Sequence, residues 1–204
     1  MLTLRKFMEK INTGATEGCV KKPPLSAKSL LIRYDEPMSR HSTFKVGGRA
    51  DVWVRPGKDI FPGYAANLLK NAKLEGIPVF ILGAGANIVV SDRGIRGIVL
   101  DTGAFRGIGK REDRKVPQAE EFEALKAQRN TAFFSVSVLS GTSVDGLSSR
   151  LAERGLSGLE FLAGMPGSVG GAVWMNARCY EKSVSDVLIE TEILDEDSKG
   201  KRSP

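Results

Sequence analysis

Nothing limits the fold of this chain more than Gly158-Leu159-Glu160-Phe161-Leu162-Ala163-Gly164-Met165-Pro166-Gly167-Ser168-Val169-Gly170-Gly171-Ala172, fifteen residues with five glycines, two alanines and a single charge. A flexible linker would be polar and would not carry Leu159, Phe161, Leu162 and Val169. The run predicts a buried turn where the backbone comes close to something flat or anionic, since glycine removes the Cβ that would block the approach. Pro166 fixes φ ahead of Gly167, and successive N–H groups in such a turn can converge on an anion. The alternative on this segment alone is a tight turn between packed elements.

A second glycine element lies upstream. Residues 61–75 read as a helix with Tyr64, Ala65, Leu68, Leu69 and Ala72 on one face and Gly76 as its stop signal. The apolar run Pro78-Val79-Phe80-Ile81-Leu82 then predicts a buried strand that runs directly into Gly83-Ala84-Gly85-Ala86-Asn87. Ile88-Val89-Val90 is expected as a second strand and Gly97-Ile98-Val99-Leu100 as a third. The loop at 83–87 sits where phosphate-binding loops sit, at the C-terminal end of a strand. It lacks the third glycine and the following helix of a Rossmann fingerprint and has no Gly-Lys-Ser/Thr. What remains is a glycine turn whose N–H groups can hold a pyrophosphate, with Asn87 able to donate or to fix the turn.

Elsewhere the pattern is plainer. Residues 1–28 show weak periodicity and read as a helical or loose leader. Gly47-Gly48 permits a turn before the strand Val52-Trp53-Val54. His41, the sole histidine, is either structural or catalytic. Residues 103–130 are charged and read as a surface loop with a short helix near 119–128. Residues 131–139 alternate as a strand, with Phe134, Val136 and Val138 on one side and Ser135 and Ser137 on the other. Gly141 lies in the turn that leads to a helix capped by Ser143, with Leu147, Leu151 and Ala152 as its stripe and Gly155 as its end. Helix is expected to resume near 169–176. Residues 187–194 read as a strand and 195–200 as a hairpin turn. No partner strand is expected after that turn, so the chain reads as truncated inside a larger protein.

The 204 residues suffice for one domain or two small lobes with a real core. The net charge of +6 suits nucleic acid or an enzyme of nucleotides and phosphorylated sugars; the cations are scattered and not interleaved with aromatics, and charge alone does not choose between the two. No apolar run approaches a membrane span and the N-terminus carries no signal-peptide core, so a cytoplasmic location is expected. Cys19 and Cys179 form no CxxC and are expected as reduced thiols; no metal site is expected.

Taken in order, Thr43-Phe44-Lys45-Val46-Gly47-Gly48, Ile81-Leu82-Gly83-Ala84-Gly85-Ala86-Asn87, the 155–172 segment and Met175-Asn176-Ala177 resemble the UDP-N-acetylenolpyruvoylglucosamine reductases (UDP-N-acetylmuramate dehydrogenases), from about residue 38 to residue 197. The resemblance implies an α+β, two-lobed FAD-binding fold of the vanillyl-alcohol-oxidase (PCMH) type, lacking the C-terminal substrate-binding domain. A leader (1–28) would precede lobe 1 (29–108) and lobe 2 (109–204). It implies a cofactor site at Gly83, Ala84, Gly85, Ala86, Asn87, Gly141, Gly164, Pro166, Gly167, Ser168 and Gly171, with Tyr180 on the substrate side. It implies bound FAD, NADPH as hydride donor, a UDP-sugar substrate, no nucleic-acid or membrane partner, and a monomer.

Two departures stand out. Where the family pattern continues Asn-Ala-Gly-Ala-Tyr-Gly, this chain reads Asn176-Ala177-Arg178-Cys179-Tyr180-Glu181. Arg178 is either strained at a positive φ or projects into the cleft toward an anion. The family's catalytic arginine, serine and glutamate match no position here, so no catalytic residue carries over. Another FAD-dependent oxidase of the same fold, and a basic non-enzymatic binding module, are the alternatives.

Overall fold

The computed structural model describes residues 2–13, 29–112, 134–194 and 201–203. The first lobe is a four-stranded sheet in the order β1-β2-β4-β3, built from β1 (Leu30–Pro37), β2 (Arg49–Pro56), β3 (Val79–Leu82) and β4 (Ile95–Asp101). β1 is antiparallel to β2, while β2, β4 and β3 run parallel. Strand alternation sorts the side chains onto two faces. Val52, Val54, Ile98 and Leu100 meet the helices α1 (Leu2–Thr13) and α2 (Phe61–Leu74) on one face. Trp53, Leu82 and Val99 turn to the other face, where Met38 and Val90 cover them.

The α2 helix and its glycine stop are as expected: the Gly76 N–H bonds Lys73 C=O, the Ile77 N–H bonds Ala72 C=O at 2.8 Å, and Gly76 has φ 65°. Of the two readings offered for the leader, the helical one holds over Leu2–Thr13. Leu4, Phe7, Met8 and Ile11 form an i, i+3, i+4, i+7 stripe, and Phe7, Met8 and Ile11 are buried in the same core as α2. Residues 14–28, including Cys19, lie outside the described residues.

Two strand expectations need correction. β3 is not a buried strand; it is an edge, and Phe80 and Ile81 are 39% and 58% exposed. Ile88-Val89-Val90 is not a strand: it pairs with no neighbour among the described residues, and Ile88 and Val90 pack inward while Val89 is 73% exposed. An apolar triplet satisfies a strand pattern without having an edge to join.

The second lobe is assembled from shorter pieces. β5 (Ile108–Glu112) pairs antiparallel with β6 (Ser135–Val138), so the start of the expected charged loop is a strand; the helix expected near 119–128 lies outside the described residues. α3 (Val144–Ala152) is capped by Ser143, whose Oγ accepts from the Gly146 N–H at 3.2 Å. Its buried stripe is Val144, Leu147, Ser148 and Leu151, and Ala152 is exposed, contrary to expectation. Ser148 goes inward because its hydroxyl donates to Leu159 C=O at 2.8 Å. A 3-10 turn, Glu160–Leu162, leads to α4 (Val169–Trp174), capped by Ser168.

Beyond α4 the hairpin β7 (Arg178–Cys179) and β8 (Lys182–Ser183) turns through Tyr180 and Glu181. Both have positive φ, 49° and 65°, as a two-residue type I′ turn demands. Arg178 is not among the positive-φ residues, which removes the strain alternative raised for it. The strand expected at 187–194 is only β9 (Thr191–Ile193). Its partner is present after all: β10 (Lys201–Ser203) pairs antiparallel with it, Ile193 opposite Lys201.

Candidate functional site

The two glycine bends meet. Gly83 follows β3 so closely to Ser168 that a Cβ built on Gly83 would collide with the serine Oγ. Ser168 is buried, because its hydroxyl caps α4 by accepting from the Gly171 N–H at 3.4 Å and its backbone bridges to Ser143. Around that bridge, the Val144 N–H donates to Gly167 C=O (3.1 Å), the Val169 N–H to Thr142 C=O (2.8 Å) and the Gly170 N–H to Ser140 C=O (2.7 Å). The 140–144 and 167–170 segments are thereby zipped into one backbone wall facing the 83–87 loop.

The loop is held from behind by the segment after β1. Gly85 has φ 67°, and a Cβ there would collide with the His41 carbonyl. The Thr43 N–H donates to Gly85 C=O at 3.0 Å, and the Thr43 hydroxyl reaches the Gly85 and Ala86 carbonyls at 3.4 Å. Those bonds turn the loop's carbonyls toward the brace, which leaves its amides for the opposite side.

Beside the loop, bounded by residues 40–43 and by Gly141 at one end of the wall, lies a cavity of about 260 Å³. Gly83, Ala84 and Gly141 line it, together with His41, Arg55 and Asp101 among others. Gly141 is pinned against the end of the first lobe, its N–H donating to Phe105 C=O at 2.9 Å.

Side chains from the sheet face beneath the cavity form a charged floor. Asp101, 2% exposed, accepts from Arg55 Nε (3.1 Å) and Nη2 (2.9 Å), Trp53 Nε1 (3.2 Å) and the Gly103 N–H (2.7 Å). Trp53 lies under the Arg55 guanidinium (4.8 Å) and stacks on His41 (ring centroids 4.7 Å apart). His41 in turn sits 2.9 Å from Glu36 Oε1 through Nε2, and Arg33 donates to the same oxygen at 3.0 Å. Burial works against ionisation of Glu36, but the bonds from His41 and Arg33 outweigh it and hold its carboxyl below the usual range. The sole histidine is therefore a half-buried neighbour of the Arg33–Glu36 ion pair at the cavity wall.

Of the residues singled out in the sequence, Gly83, Ala84 and Gly141 line the cavity, and Gly85, Ala86 and Asn87 complete the loop at its edge. Gly167 and Ser168 stand in the facing wall. Gly164, Pro166 and Gly171 do not line the cavity. The Gly164 N–H is taken by Asp145 Oδ1 at 2.7 Å, and no atom lies within 4 Å of where its Cβ would be. Tyr180 is 83% exposed at the tip of its hairpin, away from the cavity lining. The sequence reading missed Arg40, Arg55, Asp101 and Arg106, which come to the cavity from three segments. The one available signal was the strand period, which places Arg55 on the Trp53 face of β2 and Asp101 on the Val99 face of β4.

Residues 64–202 match the FAD binding domain family. The chain is 39% identical over 183 residues to UDP-N-acetylenolpyruvoylglucosamine reductase of Agathobacter rectalis, covering 88% of this chain and 54% of that protein. It is 40% identical over 163 residues to the enzyme of that name from Bacillus licheniformis, covering 80% and 46%. It also superposes on the crystal structure of UDP-N-acetylenolpyruvylglucosamine reductase from Thermus caldophilus with a TM-score of 0.56 and 26% identity, over 85% of this chain and 52% of that one. The chain thus spans about half the length of the curated relatives it matches. The chain therefore belongs to the FAD binding domain family, and over most of its length it is similar to the UDP-N-acetylenolpyruvoylglucosamine reductases.

Proposed function

We propose that this chain is the FAD-holding portion of a UDP-N-acetylenolpyruvoylglucosamine reductase of peptidoglycan precursor synthesis. The observation that carries the reading is the contact of Gly83 with Ser168, which brings two side-chain-poor bends together beside a cavity that Gly83, Ala84 and Gly141 line. The residues fit a flavin dinucleotide. A methyl group at residue 83 or 85 would destroy the loop's packing, and the loop's amides are left for anionic oxygens. The cavity volume lies just below the roughly 300–1,000 Å³ of pockets that bury a whole small ligand. It therefore suits the diphosphate middle of the cofactor, with the flat ends lying along its open rims.

In this reading the amides of Gly83, Ala84, Gly85 and Ala86, with Asn87 at the end of the turn, hold the diphosphate. Gly141, Gly167 and Ser168 form the facing wall. Gly164, Pro166 and Gly171 offer bare backbone beyond it, where a ring system meets no side chain. Tyr180 and Arg178 stand on the hairpin past α4, on the side where a UDP-sugar would approach. The chemistry the bound cofactor supplies is hydride transfer from NADPH to the vinyl carbon of UDP-N-acetylglucosamine enolpyruvate, yielding UDP-N-acetylmuramate. This chain's share is to bind, orient and exclude water; no residue in it is assigned as proton donor. A cytoplasmic monomer is the form expected, and among the described residues no helix is long and apolar enough to cross a membrane.

The test is direct. The purified 204-residue chain, mixed with FAD and passed through gel filtration, is expected to carry flavin absorbance near about 450 nm with the protein peak. Protein that elutes colourless at saturating FAD overturns the reading. NADPH-dependent bleaching of the bound colour checks the hydride donor.

A further inference from the structure

Three arginines border the cavity, and they are not equivalent. Arg55 is committed to Asp101 through two hydrogen bonds. Arg40 reaches only to 3.9 Å from Glu36 Oε1, beyond hydrogen-bond length, and that oxygen is already taken by Arg33 and His41. Arg106 has no carboxylate within ion-pair distance among the described residues.

The two uncommitted cations come from different elements. Arg40 ends the 3-10 turn after β1 (Met38–Arg40). Arg106 lies on the link from β4 to β5. That link is fixed at both sides: the Gly107 N–H donates to Thr142 Oγ1 at 3.0 Å, and Phe105 C=O accepts from the Gly141 N–H at 2.9 Å. Two guanidinium groups therefore border a cavity whose glycine loop carries no bulk: Arg40 with a long, shared ion pair to Glu36, and Arg106 with no carboxylate partner among the described residues. Guanidinium groups match phosphate oxygens in a planar fork, and charged hydrogen bonds of this kind are strong.

The geometry points to Arg40 and Arg106 as the side-chain grip on a diphosphate ester seated over Gly83 and Ala84, with Arg106 the stronger contributor because nothing else claims it. The chemistry is shared by a dinucleotide cofactor and by a nucleoside-diphosphate sugar; assigning the ester to FAD rests on the function proposed above.

The experiment titrates the 204-residue chain and its Arg106→Ala, Arg106→Lys and Arg40→Ala variants with FAD, riboflavin and UDP, following flavin or Trp53 fluorescence. Riboflavin has the ring without phosphate, so it reports an intact ring site. The expected result for Arg106→Ala is a loss of about 10- to 100-fold in FAD affinity with riboflavin affinity unchanged, and a smaller loss for Arg40→Ala. Arg106→Lys should recover part of it by keeping the charge without the fork. A loss seen with UDP instead of FAD keeps the grip and assigns it to the sugar nucleotide. If the wild type binds FAD and both alanine variants bind FAD and UDP as tightly as it does, the grip is refuted while the cofactor reading stands. If the wild type binds UDP through Arg106 but no flavin, the cofactor reading falls and the grip stands. Binding of neither overturns both. Should the Arg106→Ala chain not fold, the wild type decides: its FAD affinity must fall with added salt while its riboflavin affinity does not.

Discussion

The two lobes solve the same problem with different means. The first buries twelve residues in one cluster and six in a second, on the two faces of a four-stranded sheet. Among the described residues the second has a cluster of four buried residues, Val144, Phe161, Leu162 and Val184, and backbone bonds such as Gly170 N–H to Ser140 C=O tie its segments together. Small residues suit a wall against which a ligand must lie, but they bury little apolar area, and burial is where most folding free energy comes from. The second lobe therefore leans on the first, and the cavity exists only while the two stay in contact.

The largest effect should separate the lobes. Leu68→Ala, at a position with no exposure, should cost about 2–5 kcal/mol and lower the urea midpoint of the whole protein. Leu162→Ala should cost about 2 kcal/mol, the low end of that range, because its smaller cluster collapses more readily. Hydrogen exchange should show its loss of protection confined to residues 140–190. Equal global losses from the two would break the comparison.

Acid sharpens it. Glu36 is held below the usual range in the first lobe, and Glu160 likewise in the second, chiefly by backbone N–H bonds, its own and that of Gly158 at 2.8 Å. A carboxylate whose folded pKa is depressed stabilises above its unfolded pKa, and that stability is lost as pH falls through the folded value. Glu36→Gln should cost about 1–3 kcal/mol at neutral pH, because Arg33 and His41 lose the buried carboxylate they meet, and should flatten the acid limb of stability below about pH 4.5. Glu160→Gln should leave first-lobe exchange rates unchanged.

The seam itself is tested by Gly83→Ala, which should cost about 1–2 kcal/mol as its methyl meets Ser168 Oγ. Adding Ser168→Ala should return part of that, because it removes the colliding atom. Purely additive denaturation energies would show that the bends are not in contact. The smallest effect belongs to the hairpin past α4: Glu181→Gly, at φ 65°, should stabilise by about 0.5–1 kcal/mol in thermal unfolding.

The same contrast governs what the sequence reveals. The glycine bends are legible because a missing Cβ is itself the signal, and the resemblance of their motifs to a flavoprotein family fixes the two-lobed α+β fold. Helix ends at Gly76 and Gly155 are legible because capping is local. The cations around the cavity are not, since Arg40, Arg55 and Arg106 meet only after the sheet and the link have formed. The charged β5 is missed because a two-stranded sheet needs no apolar alternation. The helix Leu2–Thr13 is legible only as one of two readings of residues 1–28: its stripe is present, but no acidic residue in the first turn marks its start. Ile88-Val89-Val90 errs the other way, apolar enough for a strand yet with no neighbour to pair.

The meeting of Gly83 and Ser168 also has a bearing on time. These residues are far apart along the polymer, and joining them closes a loop whose entropic cost is recovered only when both ends are already shaped. On the ribosome the sheet and its helices emerge and settle before residue 168 is made. Assembly of the crevice is thus the closing act of folding, and a nucleotide present at that moment meets half of its berth already built.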